Sequence, residues 1–528
     1  MIAVLLLAAA MTTGITYDED QHIAAGVLAR HLRPYADFVY LQPPLYPLLL
    51  SVVFGVAEGH YLLAGRLLTW ALSLGSCAVL FGLLARLGAG RPFAALLVTA
   101  CVASPFLAGP VANTRNDILP LCLLLGGLAC YLRACGSGAD HVGAPPLSPS
   151  RTLLALAGLC VGLAVTAKQS YVFGPPVVLL HAAMAARRLG IRPWARLAPL
   201  FAGMAAAALP AVHYLAVAPE GFLYGQIEYH LTAPIAWYAQ EGQAARLGAG
   251  GRLAFLAELL VLGGNGTLTV LALVSAVARR GRGEPKGGGG AAGAPQAAPS
   301  FDGLLLGLLA GALVCGFLPN PSWPMYYAPV APLLACWIAA QKRHLDAAGP
   351  RGHPLRLAVV AAALPAALAL GPPTGALPKL ADFGEWPGLA VHRNAVAIRD
   401  AIHRAHGDDT QAGDVATLFP IHVLDANPVR AEFASGPFFF RTAGSLPPDR
   451  IARLRGAGPE DLEGLFAAAP PAAIFGGTYA GVWRAPMDAA LVAYAERHGY
   501  ALVMQGISAG GATGGRLYLR PTPSGGAR

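Results

Sequence analysis

The sequence predicts a mainly α, polytopic transmembrane helical bundle that carries a small C-terminal α/β domain. Hydrophobic residues make up 55% of the chain and charged residues only 12%, well outside the average of soluble proteins. From about residue 372 the composition turns globular. Residues 391–406 have amphipathic helical spacing there, and residues 472–475, 500–504 and 516–520 have the pattern of short strands.

A window of roughly 20 residues, the length of a transmembrane helix, finds about eleven candidate spans. They cover residues 1–14, 60–86, 91–109, 117–134, 151–167, 170–186, 197–217, 252–278, 301–318, 325–340 and 355–371. The first has a signal-like apolar core but neither a basic start nor a clear cleavage site. We therefore expect a first membrane helix whose start is clipped.

Arginine and lysine gather at alternate connections between the spans. These clusters are Arg86 with Arg91, Arg133 with Arg151, Arg187 to Arg196, Arg279 to Lys286, and Lys342 to Arg356. The positive-inside rule makes them cytoplasmic, so the other connections and the C-terminal domain face outward. This pattern explains the net charge of +9 without a nucleic-acid partner, and no nucleic-acid motif accompanies it. We expect a multi-pass protein of the cell membrane.

Two domains follow, a transmembrane domain over residues 1–371 and an extracytoplasmic α/β domain over residues 372–528. Within the first, residues 279–300 are rich in Gly, Ala and Pro and predict a flexible cytoplasmic linker. None of the eight cysteines lies in the outer domain, so no disulfide framework is expected there, and their spacing matches no metal site.

The first outer connection carries three adjacent acids, Asp18, Glu19 and Asp20. Apolar residues at helical spacing after them predict an amphipathic surface helix over residues 18–32, and the prolines at 43 and 44 predict a bend. The acids are consistent with a solvated helix start favoured by the helix dipole. Acids close to hydrocarbon are costly, however, which makes them candidates for a functional site.

Asp18 and His22 are four residues apart, so they share one face of this helix. They fit either a metal pair or a carboxylate with its hydrogen-bond partner, and no third ligand is visible. We favour Asp18 or Glu19 as a general base that accepts the proton of a sugar hydroxyl. No metal or other cofactor is predicted, although a divalent metal stays open.

Two further outer turns are charged. Asp117 is consistent with an ordinary helix start that Asn116 caps. It is also consistent with a functional site in which the neighbouring Arg115 neutralises a phosphate. The side chain of Lys168 can simply extend to the membrane interface, or it can act as a point charge that binds a lipid-linked phosphate. Aromatic and polar stretches at residues 224–230 and 320–327 fit an aromatic belt or a surface for sugar rings and polyprenyl tails.

Four motifs together resemble the GT-C type membrane glycosyltransferases. They are Asp18-Glu19, residues 34–46 with Asp37 and Gln42, residues 115–117, and residues 166–169. In pattern they are most similar to the dolichyl-phosphate-mannose protein mannosyltransferases and the bacterial aminoarabinose transferases that modify lipid A. The resemblance covers about residues 1–340 and lies in motifs rather than in whole sequences.

The resemblance implies a polyprenyl-phosphate-linked sugar as donor and transfer on the outer face with inversion. It implies Asp18 as the base with Glu19 beside it, Asp117 as an acid that orients a substrate, and Lys168 with Arg115 on the donor phosphate. The remaining candidates for substrate binding are His22, Asp37, Gln42, Gln169 and Tyr327. Expected partners are this donor, a lipid, glycan or protein acceptor, and membrane lipids. Some such enzymes use a divalent metal and others do not.

Two other classes of protein stay open. A transporter or flippase of lipid-linked sugars would also carry many spans, but transporters place polar residues near the bilayer midplane, often in repeated halves. Here the acids lie at the outer ends of the spans and no internal repeat is visible. A noncatalytic assembly protein that displays the outer domain would tolerate Asp18→Asn.

Overall fold

A computed structural model describes residues 1–135, 150–280, 301–346, 375–407, 414–478, 487–509 and 512–521 of the chain. Three predictions lie outside these residues, namely the last span at residues 355–371, the domain boundary that follows it, and residues 281–300 of the linker.

Up to residue 346, most of the described residues of the chain lie in helices. Its helices are α1 (Ile2–Thr12), α2 (Tyr17–Leu28), α3 (Leu45–Ala57), α4 (Tyr61–Arg86), α5 (Arg91–Val102), α6 (Pro105–Ala112), α7 (Ile118–Ala134), α8 (Arg151–Ala167), α9 (Gly174–Arg188), α10 (Trp194–Val217), α11 (Pro219–Leu223), α12 (Tyr229–Gln240), α13 (Ala249–Val261), α14 (Gly263–Arg280), α15 (Asp302–Phe317) and α16 (Val330–Asp346). A π-helical turn, Tyr224–Glu228, joins α11 to α12. Each predicted span within the described residues contains a helix or a bent pair of helices.

Two helices, α4 and α10, are long and apolar enough to cross a membrane by themselves. Three pairs, α1 with α2, α5 with α6, and α13 with α14, reach this length only together and are bent by 88°, 74° and 84°. Length and composition thus support two to five spans among the described residues, and the predicted count of about eleven is not confirmed.

Helix α2 forms where the sequence predicts an amphipathic helix. Thr16 is its N-cap and donates its amide to Glu19 Oε2 at 3.3 Å, and the acids of the first turn complement the helix dipole. Helix α2 turns 88° from α1, so the two helices do not form one straight span. The prolines at 43 and 44 precede a further apolar helix, α3, which the spans did not include.

Glycines allow α8 and α10 to pack closely. A Cβ added at Gly158 would lie 2.1 Å from the carbonyl oxygen of Leu200, and one added at Gly203 would lie 2.1 Å from that of Ala155. The two backbones therefore touch at both points, where only glycine fits. This contact fixes α8, whose end positions Lys168.

The C-terminal part is a small α/β unit, as predicted. Its helices are α17 (Leu377–Leu380), α18 (Pro387–His406), α19 (Ile421–Leu424), α20 (Pro437–Phe440), α21 (Pro448–Arg453), α22 (Leu462–Ala468) and α23 (Ala489–Arg497). Its strands are β1 (Val415–Ala416), β2 (Ala473–Gly476), β3 (Ala501–Ala509) and β4 (Ala512–Leu519), in the order β1-β2-β4-β3. β1 pairs parallel with β2, and the other pairs are antiparallel.

One hydrophobic cluster joins this unit to the helical bundle. Ile23 of α2 and Tyr46 of α3 pack in the same cluster as Val391 of α18, Ile421 of α19 and Phe475 of β2. All five side chains are at most 1% exposed. Burial of apolar surface therefore holds the C-terminal unit against α2 and α3.

Candidate functional site

A cavity of about 450 Å³ lies between the end of the helical bundle and the C-terminal unit. Its walls come from the start of α2, the turn before α7, the turn after α8, helix α12, the segment before α16, and the segment around α20. The four sequence motifs therefore meet at one place, although almost 150 residues separate the first from the last.

Four charged side chains form a continuous chain at this cavity. Arg115 Nη1 lies 2.6 Å from Asp18 Oδ2, and Arg115 Nε lies 3.0 Å from Asp117 Oδ2. Lys168 Nζ donates to the other oxygen of Asp117. Asp18, Arg115 and Lys168 line the cavity, while Asp117 lies fully buried behind them and joins the two cations.

Helix ends bring these residues together. Asp18 lies in the first turn of α2, Asp117 is the N-cap of α7, and Lys168 is the C-cap of α8. Because α7 and α8 pack along each other, the start of one lies beside the end of the other. Asn116 ties the turns together by donating to Gln42 Oε1 at 3.0 Å and to the Ala167 carbonyl at 3.2 Å.

Burial and neighbouring charges together set the protonation states of the residues at the cavity. Burial acts to raise the pKa of Asp117, but the Lys168 and Arg115 charges outweigh it and hold that pKa below its ordinary value. Burial lowers the pKa of Lys168, and the Asp117 charge opposes this effect. Burial, with Arg115 nearby, lowers the pKa of His22 to about 3. His22 is therefore neutral at pH 7, beside an ionised Asp117.

Asp18 is the carboxylate that is open to the cavity. A quarter of its side chain, 25%, is exposed, against 0% for Asp117. One oxygen accepts from Arg115, while in the described part of the chain the other accepts no hydrogen bond. Asp18 can therefore accept a proton from a group inside the cavity.

Glu19, the second acid predicted to be catalytic, lies away from the cavity. It is fully buried outside the cavity wall and accepts from Arg66 Nε at 3.0 Å, from Arg66 Nη2 at 2.8 Å and from the Thr114 amide at 2.8 Å. Adjacent residues of a helix point to different faces, so Asp18 and Glu19 serve different environments. These buried hydrogen bonds indicate a structural role for Glu19, and its catalytic role stays a prediction.

Two predicted substrate-binding residues also lie outside the cavity wall. Asp37 pairs with Arg33 on the surface, at 3.2 Å. Tyr327 is fully buried and shares a hydrogen bond of 2.9 Å with Ser322. Its neighbour Tyr326 lines the cavity instead, with Lys168 Nζ 5.3 Å from its ring centre. The aromatic segment thus reaches the site through the other tyrosine.

The remaining predicted residues, His22, Gln42, Gln169 and Arg115, all line the cavity. His22 Nδ1 lies 3.1 Å from the Tyr40 hydroxyl. Three lining amides, Gln21, Gln169 and Asn320, each bury a side-chain oxygen that has no hydrogen-bond partner among the described residues. Such oxygens are suited to accept hydrogen bonds from hydroxyl groups of a ligand.

No sequence motif predicts the contribution of the C-terminal unit to the cavity. Phe438 and Arg441 come from the segment around α20 and line the cavity with the membrane-domain residues. The Phe438 ring lies 5.4 Å from that of Tyr17, the residue before Asp18. No motif surrounds these positions, and only the tertiary fold brings them to the site.

The described residues contain no group of three His, Cys, Asp or Glu side chains placed to hold a metal ion. Asp18 and His22 therefore remain a pair without a third protein ligand in the part of the chain that the structure covers. Structural and catalytic metal sites usually take three or more such ligands.

Neither a protein-family model nor a curated protein matches the chain. Among solved structures, ArnT from Cupriavidus metallidurans bound to undecaprenyl phosphate aligns over 98% of this chain and 96% of its own, with a TM-score of 0.59 and 16% identity. Its apo state aligns over the same shares, with a TM-score of 0.53 and 14% identity.

An oligosaccharyltransferase from Archaeoglobus fulgidus aligns over 90% of this chain and 68% of its own, with a TM-score of 0.46 and 11% identity. ArnT is a lipid A aminoarabinose transferase of the GT-C class. The two ArnT alignments show that this chain has the same fold, and they confirm the predicted resemblance at that level.

Proposed function

We propose that this chain, which has the GT-C fold, is a membrane glycosyltransferase that takes its sugar from a polyprenyl-phosphate-linked donor. The acceptor is a hydroxyl group of a lipid, glycan or protein at the outer face of the membrane. The observation that carries the proposal is the arrangement of Asp18, Arg115 and Lys168 in one cavity, joined through Asp117.

Asp18 is the general base of the proposed reaction. Its free oxygen accepts the proton of the acceptor hydroxyl while the hydroxyl oxygen attacks the anomeric carbon of the sugar. The bond from this carbon to the phosphate oxygen breaks, and its electron pair leaves with the lipid phosphate. Attack from the side opposite to the leaving group inverts the anomeric centre.

The cations stabilise the charge that develops on the leaving phosphate. Lys168 and Arg115 face the cavity, and their hydrogen bonds to Asp117 hold them in place before substrate binds. Charges fixed in advance lower the barrier because they need no rearrangement as the bond breaks. Asp117 thus acts as the residue that positions both.

The remaining wall of the cavity suits a sugar attached to a lipid. The unpartnered oxygens of Gln21, Gln169 and Asn320 are placed to accept sugar hydroxyls, beside the aromatic rings of Tyr326 and Trp323. Aromatic faces also suit sugar rings and isoprenoid chains. The undecaprenyl phosphate bound to ArnT supports a polyprenyl-phosphate donor here.

The proposed active site faces away from the cytoplasm. Asp117 begins α7, while Arg133, in a basic connection that the positive-inside rule assigns to the cytoplasm, lies in its last turn. Lys168 and Arg151 stand at opposite ends of α8 in the same way. The site is therefore opposite to the basic connections.

Transfer of radiolabelled sugar by the purified protein in proteoliposomes tests this proposal. Donors with different sugars on undecaprenyl phosphate are supplied together with an extract of envelope lipids and glycans. We expect label in a covalent product that survives extraction, and release of undecaprenyl phosphate in equal amount. Movement of intact donor across the bilayer without a product would instead identify a flippase.

A further inference from the structure

Arg441 lines the cavity from the side of the C-terminal unit, directly after α20. Its guanidinium carbon lies 3.9 Å from the centre of the Trp237 ring and 5.2 Å from that of Phe438. The two rings fix the plane of the guanidinium and shield it from water. Arg441 is therefore held in place, as a binding group requires.

The hydrogen-bonding capacity of this arginine is not filled. Two of its nitrogens, Nε and Nη1, are buried without a hydrogen-bond partner within the described residues. No carboxylate in that part of the chain forms a salt bridge with it. Burial raises the pKa of the adjacent Tyr229 to about 12, so this neighbour stays neutral at pH 7. Buried guanidinium donors without an acceptor are costly, which points to an anionic ligand.

The charges at the cavity lead to the same conclusion. Arg115, Lys168 and Arg441 are the lysine and arginine side chains in its wall, among the described residues. The negative charges of Asp18 and Asp117 balance the positive charges of Arg115 and Lys168. One positive charge remains, and it belongs to Arg441.

We propose that Arg441 binds the phosphate of the lipid-linked donor, so that the C-terminal unit completes the donor site. This proposal rests on the proposed transferase function. A phosphodiester donor carries one negative charge, which matches the charge left over at the cavity. A guanidinium fork presents two parallel N–H groups to two phosphate oxygens, and this geometry is specific for phosphate.

The same balance holds after transfer. The phosphate monoester that leaves can carry a second negative charge, while Asp18 has taken up the proton of the acceptor. Protonation of Asp18 removes one negative charge from the site, and the cations then exceed the carboxylates by two. The site therefore neutralises both the donor and the released lipid phosphate.

Several contacts hold the segment that carries Arg441 against the membrane domain. The Ser435 hydroxyl donates to the Val39 carbonyl at 2.6 Å, and the Ile421 amide donates to Asp20 at 3.2 Å. Arg450 makes two hydrogen bonds to the carboxylate of Glu228, at 2.7 and 2.6 Å. The position of Arg441 is thus set by elements on both sides of the cavity.

Binding of undecaprenyl phosphate to the full-length protein in nanodiscs tests this role without depending on turnover. Arg441→Gln should weaken binding by about tenfold or more, and Arg441→Lys should retain part of the affinity because the charge remains. Arg393→Gln removes an exposed arginine of α18 outside the cavity and should bind like the wild type. Polyprenol without phosphate should bind equally to all four proteins.

Inorganic phosphate serves as a competitor and separates a lipid headgroup from a free anion. Displacement of the lipid only at high phosphate concentration is expected, whereas equal affinity for both would overturn a donor-specific site. Wild-type affinity in Arg441→Gln would also overturn the proposal. If no donor supports transfer but lipid phosphate binding depends on Arg441, the transferase function fails and the phosphate site stands. If transfer is normal and Arg441→Gln does not change lipid phosphate binding, the transferase function stands and the Arg441 phosphate site fails.

Discussion

Asp18 and Asp117 share one guanidinium, because Arg115 reaches the first carboxylate through Nη1 at 2.6 Å and the second through Nε at 3.0 Å. One of these carboxylates is partly exposed to the cavity and the other is completely buried. The two acids differ in their surroundings rather than in this partner, because Asp18 opens to the cavity whereas Asp117 is enclosed between Arg115 and Lys168.

Replacing the exposed carboxylate removes the proposed base. Asp18→Asn should lower the rate of sugar transfer by about 10²- to 10⁴-fold, the usual contribution of general base catalysis. Donor affinity should change little, since Asp18 is not assigned to the phosphate. Single-turnover transfer and equilibrium donor binding measure the two effects. The matched control is Asp37→Asn, a surface acid outside the cavity, which should leave both unchanged, and similar rates in both variants would contradict the assignment of the base.

Removing the buried carboxylate should act on both cations at once. Asp117→Asn leaves Lys168 and Arg115 without their common partner, and breaking a buried pair in this way costs about 3–5 kcal/mol of stability. The double variant Asp117→Asn with Lys168→Met should therefore be less destabilised than the sum of the two single variants. Thermal unfolding of the four proteins in detergent measures this coupling. Additive losses would show that the two residues do not act as a pair.

Glu19 should matter for stability rather than for chemistry. Glu19→Gln weakens the hydrogen bonds to Arg66 and leaves that arginine as an uncompensated buried charge, so we expect a loss of about 3 kcal/mol. The protein that stays folded should keep the wild-type KM for donor and most of its kcat. Melting temperature and steady-state kinetics distinguish these outcomes. A large fall in kcat without a change in melting temperature would return Glu19 to the catalytic residues.

The protein should lose stability in mild acid because of buried histidine. The pKa of His22 falls from its ordinary 6.5 to about 3 in the folded state, so the unfolded chain binds the proton more readily. The free energy of unfolding should therefore decrease as pH falls below about 6.5, by about 2 kcal/mol from this residue by pH 5. Melting curves at pH 7 and pH 5 should show a smaller change for His22→Asn than for the wild type. An equal change in both proteins would contradict this.

Two adjacent tyrosines should behave differently when changed. Tyr326 lines the cavity beside Lys168, so Tyr326→Ala should raise the KM for donor several-fold with little effect on melting temperature. Tyr327 is buried and bonded to Ser322, so Tyr327→Ala should mainly lower the melting temperature. Paired kinetic and melting measurements test the contrast. The reverse pattern would restore Tyr327 as the binding residue.

Local patterns were sufficient to predict the helices and part of the site. The acids of α2, the apolar runs and the charged turns at Asp117 and Lys168 all lie in short stretches, and the fold brings these turns to one cavity. Strands β2, β3 and β4 also form close to where their spacing predicts them. Short-range signals such as these survive in the folded chain because tertiary contacts support them.

Other features depend on contacts that no local pattern records. Which of Asp18 and Glu19 faces the cavity depends on Arg66, which lies in another helix. The choice between Tyr326 and Tyr327 depends on the turn that begins at Pro324. Arg441 stands in a segment without a motif, and its proximity to Asp18 arises only when the C-terminal unit packs on α2.

The contact between the rings of Tyr17 and Phe438 bears on the fidelity of the proposed reaction. It places aromatic surface beside Asp18, where water would otherwise compete with the acceptor hydroxyl as a nucleophile. Opening this contact, for example by Phe438→Ala, would divert donor into hydrolysis and release free sugar. In the proposed reaction, the C-terminal unit would thereby influence how much of the donor reaches its intended product, in addition to where that donor binds.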